Sequence, residues 1–432
     1  MAPVMILLWL FAVLPIALAN HVGQQPLQSL FPGSWDVEFQ PKVSEGCSIS
    51  HLTAYEEVNG PVAFSTSTIE HPEVPKLSAV NSTAWEQWEF DATGDDGMTG
   101  LIIGFSRDAS YAFFGLGNLR VEFYMVLHDG TVIQELDYLE ESRLINCDGA
   151  VTGIWNSSRR QYSFEISKNM KQATVKWQTP IVQGNMSLSS TVMPHFPDGS
   201  SWPSSNATTE ISPSLHSFNS ILSGRAEAHV TLANRKTMRL RGAGGHSRLW
   251  AEGGWFKIVD GFNIVRFHGG PYTGFFWRTI SRLVKGAVYD SAQLFKNGKL
   301  LIATRLGEES QNTDYVLFSS DFSGNVSGGL GDKSTGRILQ FISPAQGKGW
   351  RFHLENKRKK FELSLGGHFG LTGFLNSVVG GEINGKRYAG VGFSEQVVFP
   401  EVIARWRLWI VYGIGYLNRG KGILMTVVQR FT

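Results

Sequence analysis

Two short groups of polar residues, each set among tryptophans, have the types and spacing that could carry chemistry. In the first group, Glu86 and Trp88 alternate along a strand pattern and therefore share one face, while Asp91 lies on the opposite face. A carboxylate turned inward beside a tryptophan could hold the polar group of a ligand, or act as a general acid or base. A tryptophan core with carboxylates at a turn has the same composition, and residue types alone favour that simpler interpretation.

The second group is His246, Arg248 and Trp250, again at alternate positions, with Trp255 following. A cation beside a tryptophan ring can bind a carbonyl or an enolate oxygen. A buried ion pair, or a cation–π contact between two domains, accounts for the pattern equally well. The sequence therefore offers Glu86, His246 and Arg248 as candidate catalytic residues and leaves the structural alternative open.

The second group belongs to one aromatic, glycine-rich stretch, residues 241–282, which also contains five phenylalanines. Glycine permits close approach of the backbone, while Trp and Tyr supply large flat surfaces with one polar atom each. This composition predicts the walls of a pocket for a bulky apolar molecule. The candidate substrate-binding residues are Trp88, Asp91, Trp250, Trp255, Tyr272 and Trp277.

Motifs for other chemistries are missing from the sequence. Residues 245–249 depart from the G-x-S-x-G nucleophile elbow at the last position, and residues 242–245 lack both the spacing and the βαβ context of a dinucleotide site. No HExxH motif or paired-cysteine spacing for a metal occurs. We therefore expect neither a metal nor a cofactor. A formal net charge of +2 without a long basic run argues against nucleic acid as a partner.

The length of 432 residues predicts two domains. We expect an N-terminal domain over residues 20–215 and a C-terminal domain over 216–400, followed by a basic aromatic tail, 401–432. Residues 194–215 contain four prolines among many serines and threonines, which is typical of an interdomain linker or a long surface loop.

Period-two alternation and turn pairs favour an all-β fold. Residues 119–127 alternate between apolar and polar side chains, and Asn297-Gly298 and Asn384-Gly385 are strong hairpin signals. The charged residues 356–360 are interpreted as a turn between two further strands. Seven or more strands in the second half predict an antiparallel barrel able to hold one small ligand, with a two-sheet sandwich as the alternative.

Features of the N-terminal half indicate the secretory pathway. Residues 1–19 are apolar, carry no charge and end in a small-residue cleavage pattern, so a signal peptide is favoured over a permanent anchor. In an oxidising compartment, Cys47 and Cys147 would form a disulfide, the alternative being two buried thiols. Five N-x-Ser/Thr sequons make glycosylation plausible, at Asn81, Asn156, Asn185, Asn206 and Asn325.

The tail contains an uncharged apolar run, residues 408–418, with basic residues on both sides. Eleven residues are too few to span a bilayer. The run could contact a membrane surface, or it could be a last strand or helix that covers the barrel.

Several segments together carry a family resemblance. They are EQWEFDA (86–92), FSRD (105–108), LGNLRVEF (116–123), GGHSRLW (244–250), GPY (270–272), DYVLF (314–318), GWRFHLENK (349–357), GGHFGLTGF (366–374) and FSEQVVFP (393–400). In their order and spacing the chain resembles the fungal lipocalin-like Diels–Alderases of polyketide–amino-acid hybrid pathways, which form decalin and cytochalasan-type rings. At Glu89 the first segment departs from the aromatic residue expected there.

The resemblance implies an N-terminal β-sandwich-like domain and a C-terminal lipocalin-like barrel, with the substrate bound between them. It also implies a cofactor-free intramolecular [4+2] cycloaddition of a hydrophobic polyene by a monomeric protein. The tryptophans and Tyr272 would shape the polyene, and Glu86, His246 and Arg248 would anchor its carbonyl groups. A secreted carrier of a hydrophobic metabolite is the alternative, and a polyene hydratase or isomerase with Glu86 as acid is a third.

Overall fold

The computed structural model describes residues 46–109 and 117–401, and these residues form two antiparallel sheets. The strands of the first sheet are β1(Ser48–Thr53), β2(Trp85–Gly94), β3(Gly100–Asp108), β4(Leu119–Val126), β5(Val132–Tyr138), β6(Glu141–Cys147), β7(Ala150–Ser157), β8(Arg160–Ile166), β9(Gln172–Gln178), β10(Val182–Ser190), β11(Glu210–Ser212), β12(Leu215–Leu232) and β13(Thr237–Ala251). Those of the second sheet are β14(Val259–Gly269), β15(Tyr272–Ser281), β16(Val288–Lys296), β17(Lys299–Thr304), β18(Tyr315–Asp321), β19(Gly336–Ser343), β20(Lys348–Gly366), β21(Phe369–Glu382) and β22(Tyr388–Val398). The prediction of an all-β fold is confirmed.

The two sheets have different shapes. The first is a half-barrel in which β1 and β5 are the outermost strands and β13 pairs with β2. The second is a nearly closed barrel with the order β17-β16-β15-β14-β22-β21-β20-β19-β18, as the predicted lipocalin-like barrel requires. Among the described residues, no helix combines the length and apolar character of a membrane span.

The chain passes from one sheet to the other through a single helical turn, α1(Trp255–Ile258). Strands β12 and β13 both lie in the first sheet, although the predicted C-terminal domain begins at residue 216. Pairing between β2 and β13 joins residues about 150 positions apart in the chain, and such long-range pairing leaves no local signal.

The proline-rich segment 194–215 joins β10 to β11 and β12 of the same sheet, so it does not link the two sheets. It packs instead between them. The Ser291 hydroxyl donates to the Pro197 carbonyl at 2.9 Å, and the Gln293 side-chain amide donates to the Phe196 carbonyl. This loop is therefore a docked part of the interface between the half-barrel and the barrel.

Alternation along the strands divides most buried apolar side chains into three large cores, and a fourth, small cluster joins Ile102 and Tyr124 of the first sheet to Phe361 of the second. The inner face of the half-barrel carries Trp88 with most other large apolar side chains of the first sheet. The barrel interior contains Phe267 and Tyr272. The third core lies between the two sheets and includes Trp85 and Phe262. Because both faces of β2 are buried, its pattern alone does not show which face meets the barrel.

A disulfide joins Cys47 and Cys147, as predicted, across 100 residues of chain. Strand β1 follows Cys47 directly and pairs with β6, which ends at Cys147, so that Ser48 lies opposite Asn146. The bond therefore fixes the outermost strand of the half-barrel to its neighbour.

Removal of this disulfide is expected to lower the free energy of unfolding by about 2–5 kcal/mol, because the unfolded chain regains the freedom of a long loop. The double substitution Cys47→Ser and Cys147→Ser should show this loss in denaturant titrations under oxidising conditions. Addition of a reductant should bring the wild type down to the variant and leave the variant unchanged. Equal stability of the two oxidised proteins would contradict the prediction.

The predicted signal peptide, residues 1–19, lies outside the described residues, as does the tail from residue 402 onward. Three sequon asparagines are exposed, namely Asn185, Asn206 and Asn325. Asn81 instead accepts hydrogen bonds from the backbone amides of Thr83 and Ala84, and Asn156 is half-buried. Glycosylation stays a prediction, which these exposures favour at the first three positions.

Candidate functional site

Strand β2 separates two polar environments. Glu86 and Trp88 point toward the inner core of the half-barrel, whereas Glu89 and Asp91 point toward the barrel. His246 and Arg248 belong to β13. They lie opposite Phe90 and Trp88 of β2 and therefore share the inner face. All three candidate catalytic residues thus lie inside the first sheet.

Glu86 and Arg248 form a fully buried ionic network. Nη2 of Arg248 donates to Oε2 of Glu86 at 2.5 Å, and Nη1 of Arg107 lies 3.5 Å from Oε1. The backbone amide of Lys76 also donates to Oε2, at 2.8 Å. The Arg248 guanidinium stacks 3.6 Å from the Trp88 ring centre. Burial lowers the pKa of Arg248, and Glu86 opposes this shift.

His246 belongs to a second buried network. Its Nε2 lies 3.0 Å from Oε2 of Glu73, and its Nδ1 lies 2.9 Å from the carbonyl oxygen of Glu89. The Ser220 hydroxyl donates to the same Glu73 carboxylate. Burial raises the pKa of Glu73, but the charge and hydrogen bond of His246 outweigh it and hold that pKa at about 2. These contacts place Glu86, His246 and Arg248 in the interior framework of the half-barrel, and their catalytic role stays a prediction.

The predicted aromatic residues are distributed among all three cores. Trp88 and Trp250 lie in the half-barrel and Tyr272 lies inside the barrel. Only Trp255 and Trp277 reach the interface between the sheets. There Trp255 stacks on Trp85, with ring centres 4.4 Å apart, and Trp277 stacks on Phe262 at 5.3 Å.

Asp91, the remaining predicted residue, lies in that interface and forms an ion pair with Arg266 of β14. Nη2 of Arg266 also donates to the Ser247 hydroxyl at 2.7 Å. Burial lowers the pKa of Arg266 to about 10, opposed by Glu89. This ion pair joins strand β2 of the half-barrel to strand β14 of the barrel.

Lys360 is buried in the same interface without a hydrogen bond. It is the extra residue of a β-bulge in β20, between Lys359 and Phe361, and its side chain is inaccessible to solvent. Its Nζ lies 4.8 Å from the centre of the Phe393 ring and has no hydrogen-bond partner among the described residues. Burial lowers the pKa of Lys360 to about 7, although nearby carboxylates oppose the shift.

Two carboxylates face Lys360. Glu395 of β22 is buried, and Glu89 of β2 is half-buried. Burial raises the pKa of Glu395 well above its ordinary value, and the negative charges of Glu89 and Glu122 raise it further. Burial likewise raises the pKa of Glu89, against the charges of Arg266 and Lys360. A carboxyl group in this setting can remain protonated and donate a hydrogen bond.

These polar groups lie close together where the two sheets face each other. We call this region the cleft and define it by Gln87, Glu89, Gly104, Glu122, Lys360, Leu371 and Glu395. On the half-barrel side, Gln87, Glu89 and Glu122 are half-buried, and Gly104 lies between the two glutamates in the sheet. Opposite them stand apolar side chains of the barrel, among them Phe361, Leu371 and Phe393. Apolar walls around a few polar groups are typical of sites for small hydrophobic ligands.

A cavity of about 720 Å³ lies elsewhere, along β1 and residues 63–78. Two of its charged groups are already paired, since Nζ of Lys76 lies 3.0 Å from Glu70 and His51 lies 3.1 Å from Glu141. Nε2 of His71 is buried there without a hydrogen-bond partner among the described residues, but burial lowers the pKa of this histidine and so favours its uncharged form. We favour the cleft because volume alone provides no chemistry, whereas the cleft contains a buried ammonium group, that of Lys360, without a hydrogen-bond partner among the described residues.

Known proteins match this chain through both the half-barrel and the barrel. A family model described as Diels-Alderase-like matches residues 44–400. The chain belongs to the Diels-Alderase-like family. It is 48% identical over 429 residues to Diels-Alderase mycB of Thermothelomyces thermophilus, covering 96% of this chain and 97% of that protein. It is 44% identical to hexane cyclase pydB of an Acremonium species, covering 94% of each.

A solved structure shares the fold of this Diels-Alderase-like chain. The crystal structure of CghA with Sch210972 superposes with a TM-score of 0.74 at 22% identity, covering 82% of this chain and all of that one. Its two-sheet architecture therefore persists at low sequence identity.

Sequence reasoning missed most of the polar groups in the cleft of this Diels-Alderase-like protein. Arg266 stands between the apolar residues Val265 and Phe267, and Glu395 lies in a segment that carries the family resemblance, so both positions held a usable signal. The interpretation of residues 356–360 as a turn is wrong, because β20 continues through them and pairs there with β21. The bulge that buries Lys360 leaves no mark in the sequence.

Proposed function

We propose that this protein is a Diels–Alderase that catalyses an intramolecular [4+2] cycloaddition of a hydrophobic polyene bound in the cleft. Family membership supports the reaction class, since the relatives include proteins named Diels-Alderase and hexane cyclase. The observation that carries the location is the buried ammonium group of Lys360, which has no hydrogen-bond partner among the described residues and lies beside apolar side chains where half-barrel and barrel meet. A polyketide–amino-acid hybrid, with a polyene and a carbonyl-bearing ring, has the matching distribution of polarity.

The protein contributes position and electrostatics to such a reaction. A flexible polyene must bring its diene and dienophile together, and confinement between two rigid sheets removes much of that entropic cost. Hydrogen bonds to a carbonyl conjugated with the dienophile accelerate the step if they strengthen in the transition state. About 2.7 kcal/mol of such differential binding corresponds to roughly a hundredfold in rate.

The test is a turnover measurement with purified protein and a synthetic linear polyene that bears a terminal ring carbonyl. We expect many cycloadducts per protein molecule and one predominant stereoisomer, whereas the reaction in buffer gives a mixture. A carrier would bind one equivalent and leave both rate and stereoisomer ratio unchanged. That outcome would show that the protein is a carrier and not a Diels–Alderase.

We also propose that the protein matures in the secretory pathway and acts there as a monomer. The disulfide supports an oxidising compartment, as do the exposed sequons. Treatment of the protein from its native source with a glycosidase should increase its electrophoretic mobility. An unchanged mobility together with free thiols would contradict this localisation. Contact of the tail with a membrane surface is a separate proposal, which a vesicle flotation assay would test.

A further inference from the structure

Two adjacent lysines of β20 have opposite environments. Lys359 is exposed and its Nζ donates to Glu362 at 2.8 Å, whereas Lys360 is completely buried. In a regular strand, Lys360 and Phe361 would point to opposite faces. The bulge lets both point into the interface, where Phe361 packs 4.8 Å from Tyr124. The irregularity of β20 therefore has one clear consequence, which is to aim Lys360 into the cleft.

The buried position of Lys360 works against stability. An ammonium group can donate three hydrogen bonds, and Lys360 makes none among the described residues. Its contact with the Phe393 ring compensates for only part of the lost hydration. A buried polar group without a partner calls for an explanation, and a missing ligand atom is one that the setting supports. Every other cation of the interface that we have described, Arg266 included, has an oxygen partner.

The surroundings of Lys360 define what it would bind. Glu89 and Glu395 face it, and the apolar side chains Phe361, Leu371 and Phe393 enclose the same space. With two carboxyl groups already nearby, a further negative group would be repelled, whereas a neutral oxygen acceptor at the end of an apolar molecule would be accepted. A conjugated carbonyl is such an acceptor.

We propose that Lys360 is a catalytic residue whose ammonium group donates a hydrogen bond to the carbonyl conjugated with the dienophile of the substrate. This assignment rests on the proposed Diels–Alderase function and on the cleft as its site. The carbonyl oxygen gains negative charge as the new carbon–carbon bonds form, so the hydrogen bond strengthens toward the transition state. No proton is transferred, and all electrons that form the two bonds come from the diene and the dienophile.

The dependence of activity on pH follows from the groups that face Lys360. They are Glu89 on β2, Arg266 on β14 and Glu395 on β22, and Glu122 on β4 acts in turn on the two carboxyl groups. Burial lowers the pKa of Lys360 to about 7, and the charges of Glu89 and Glu395 oppose this shift. Because the protonated amine is the stronger donor, kcat/KM should fall as the pH rises above about 7.

The experiment compares wild type, Lys360→Met and the matched control Lys359→Met on the same linear polyene. We expect Lys360→Met to lower kcat by about 100-fold, which is the typical loss when one donor to the transition state is removed. The preference for one stereoisomer should also weaken. Its thermal midpoint should stay level or rise, because a buried ammonium without a hydrogen bond has been replaced by an apolar side chain. Lys359→Met should retain wild-type kcat and the wild-type pH profile.

The outcomes separate the two proposals. A wild type that yields no cycloadduct would overturn the proposed function itself. A turning-over wild type with a folded Lys360→Met variant of equal kcat and stereoisomer ratio would overturn the role of Lys360. If Lys360→Met does not fold, Lys360→Arg takes its place. If the Lys360→Arg variant stays active and its kcat/KM no longer declines above pH 7, the proposal is supported. If its kcat/KM declines above pH 7 as in the wild type, the proposal is contradicted.

Discussion

Replacement of Glu86 by alanine should destabilise the fold by about 3–5 kcal/mol, the usual cost of removing one partner from a buried ion pair. The substitution would leave the guanidinium groups of Arg107 and Arg248 buried, without the carboxylate that neutralises them. It would also release the backbone amide of Lys76, which donates to that carboxylate. Denaturant titration followed by tryptophan fluorescence measures the loss, since Trp88 lies against Arg248.

Glu141 provides the matched control for this prediction. It also pairs with basic side chains, His51 and Arg143, but at the surface of the molecule. Solvent screens such pairs, so Glu141→Ala should cost no more than about 1 kcal/mol. A stably folded Glu86→Ala variant that has lost only its cycloaddition activity would contradict the structural role and restore Glu86 as a catalytic candidate.

The sequence predicted the composition of each face of β2 but not the role of each face. Alternation correctly separated Glu86 and Trp88 from Glu89 and Asp91. The tryptophan then made the first face look like a binding site, although large aromatic side chains also fill interior cores. A sheet that buries both faces offers no polar side from which the orientation could be read.

Long-range pairing accounts for the rest of what was missed. The cleft combines residues from β2, β3, β4, β20, β21 and β22. The first of these strands begins at Trp85 and the last ends at Val398, so the residues are far apart in the chain. Charged residues 356–360 resembled a turn because charge usually marks solvent. In the fold, Arg358 instead donates from β20 to the carbonyls of Leu127 and His128 and so connects the barrel to the half-barrel.

The division of labour between the faces of β2 has a physical basis. Polar groups of the inner face neutralise one another, so they make the half-barrel rigid and have little remaining capacity for a ligand. On the outer face, the Asp91–Arg266 pair fixes the half-barrel to the barrel, and the buried ammonium group of Lys360 has no hydrogen-bond partner among the described residues. A rigid framework next to unpaired donors is the arrangement that electrostatic catalysis requires, because the donors need not reorganise as the reaction proceeds.

Filling the cleft at Gly104 should abolish most of the activity without unfolding the protein. Gly104 lies between Glu89 and Glu122 in the sheet, and a Cβ atom there would meet only Nε2 of Gln87 at 3.3 Å and Cβ of Glu122 at 3.9 Å. Alanine therefore fits after a small movement of a flexible side chain. Leucine would extend into the space that the polyene occupies, and we expect kcat/KM to fall by roughly 100-fold, or about 2.7 kcal/mol.

The series Gly104→Ala and Gly104→Leu, assayed with the same polyene, separates a steric effect from a general one. The alanine variant should lose less than about fivefold, equivalent to roughly 1 kcal/mol. Ala63→Trp, which fills the 720 Å³ cavity along β1, is the positional control and should leave kcat/KM unchanged. If Ala63→Trp slows the reaction while Gly104→Leu does not, the substrate binds in that cavity. The polar groups between the sheets would then act only on the docking of the half-barrel against the barrel.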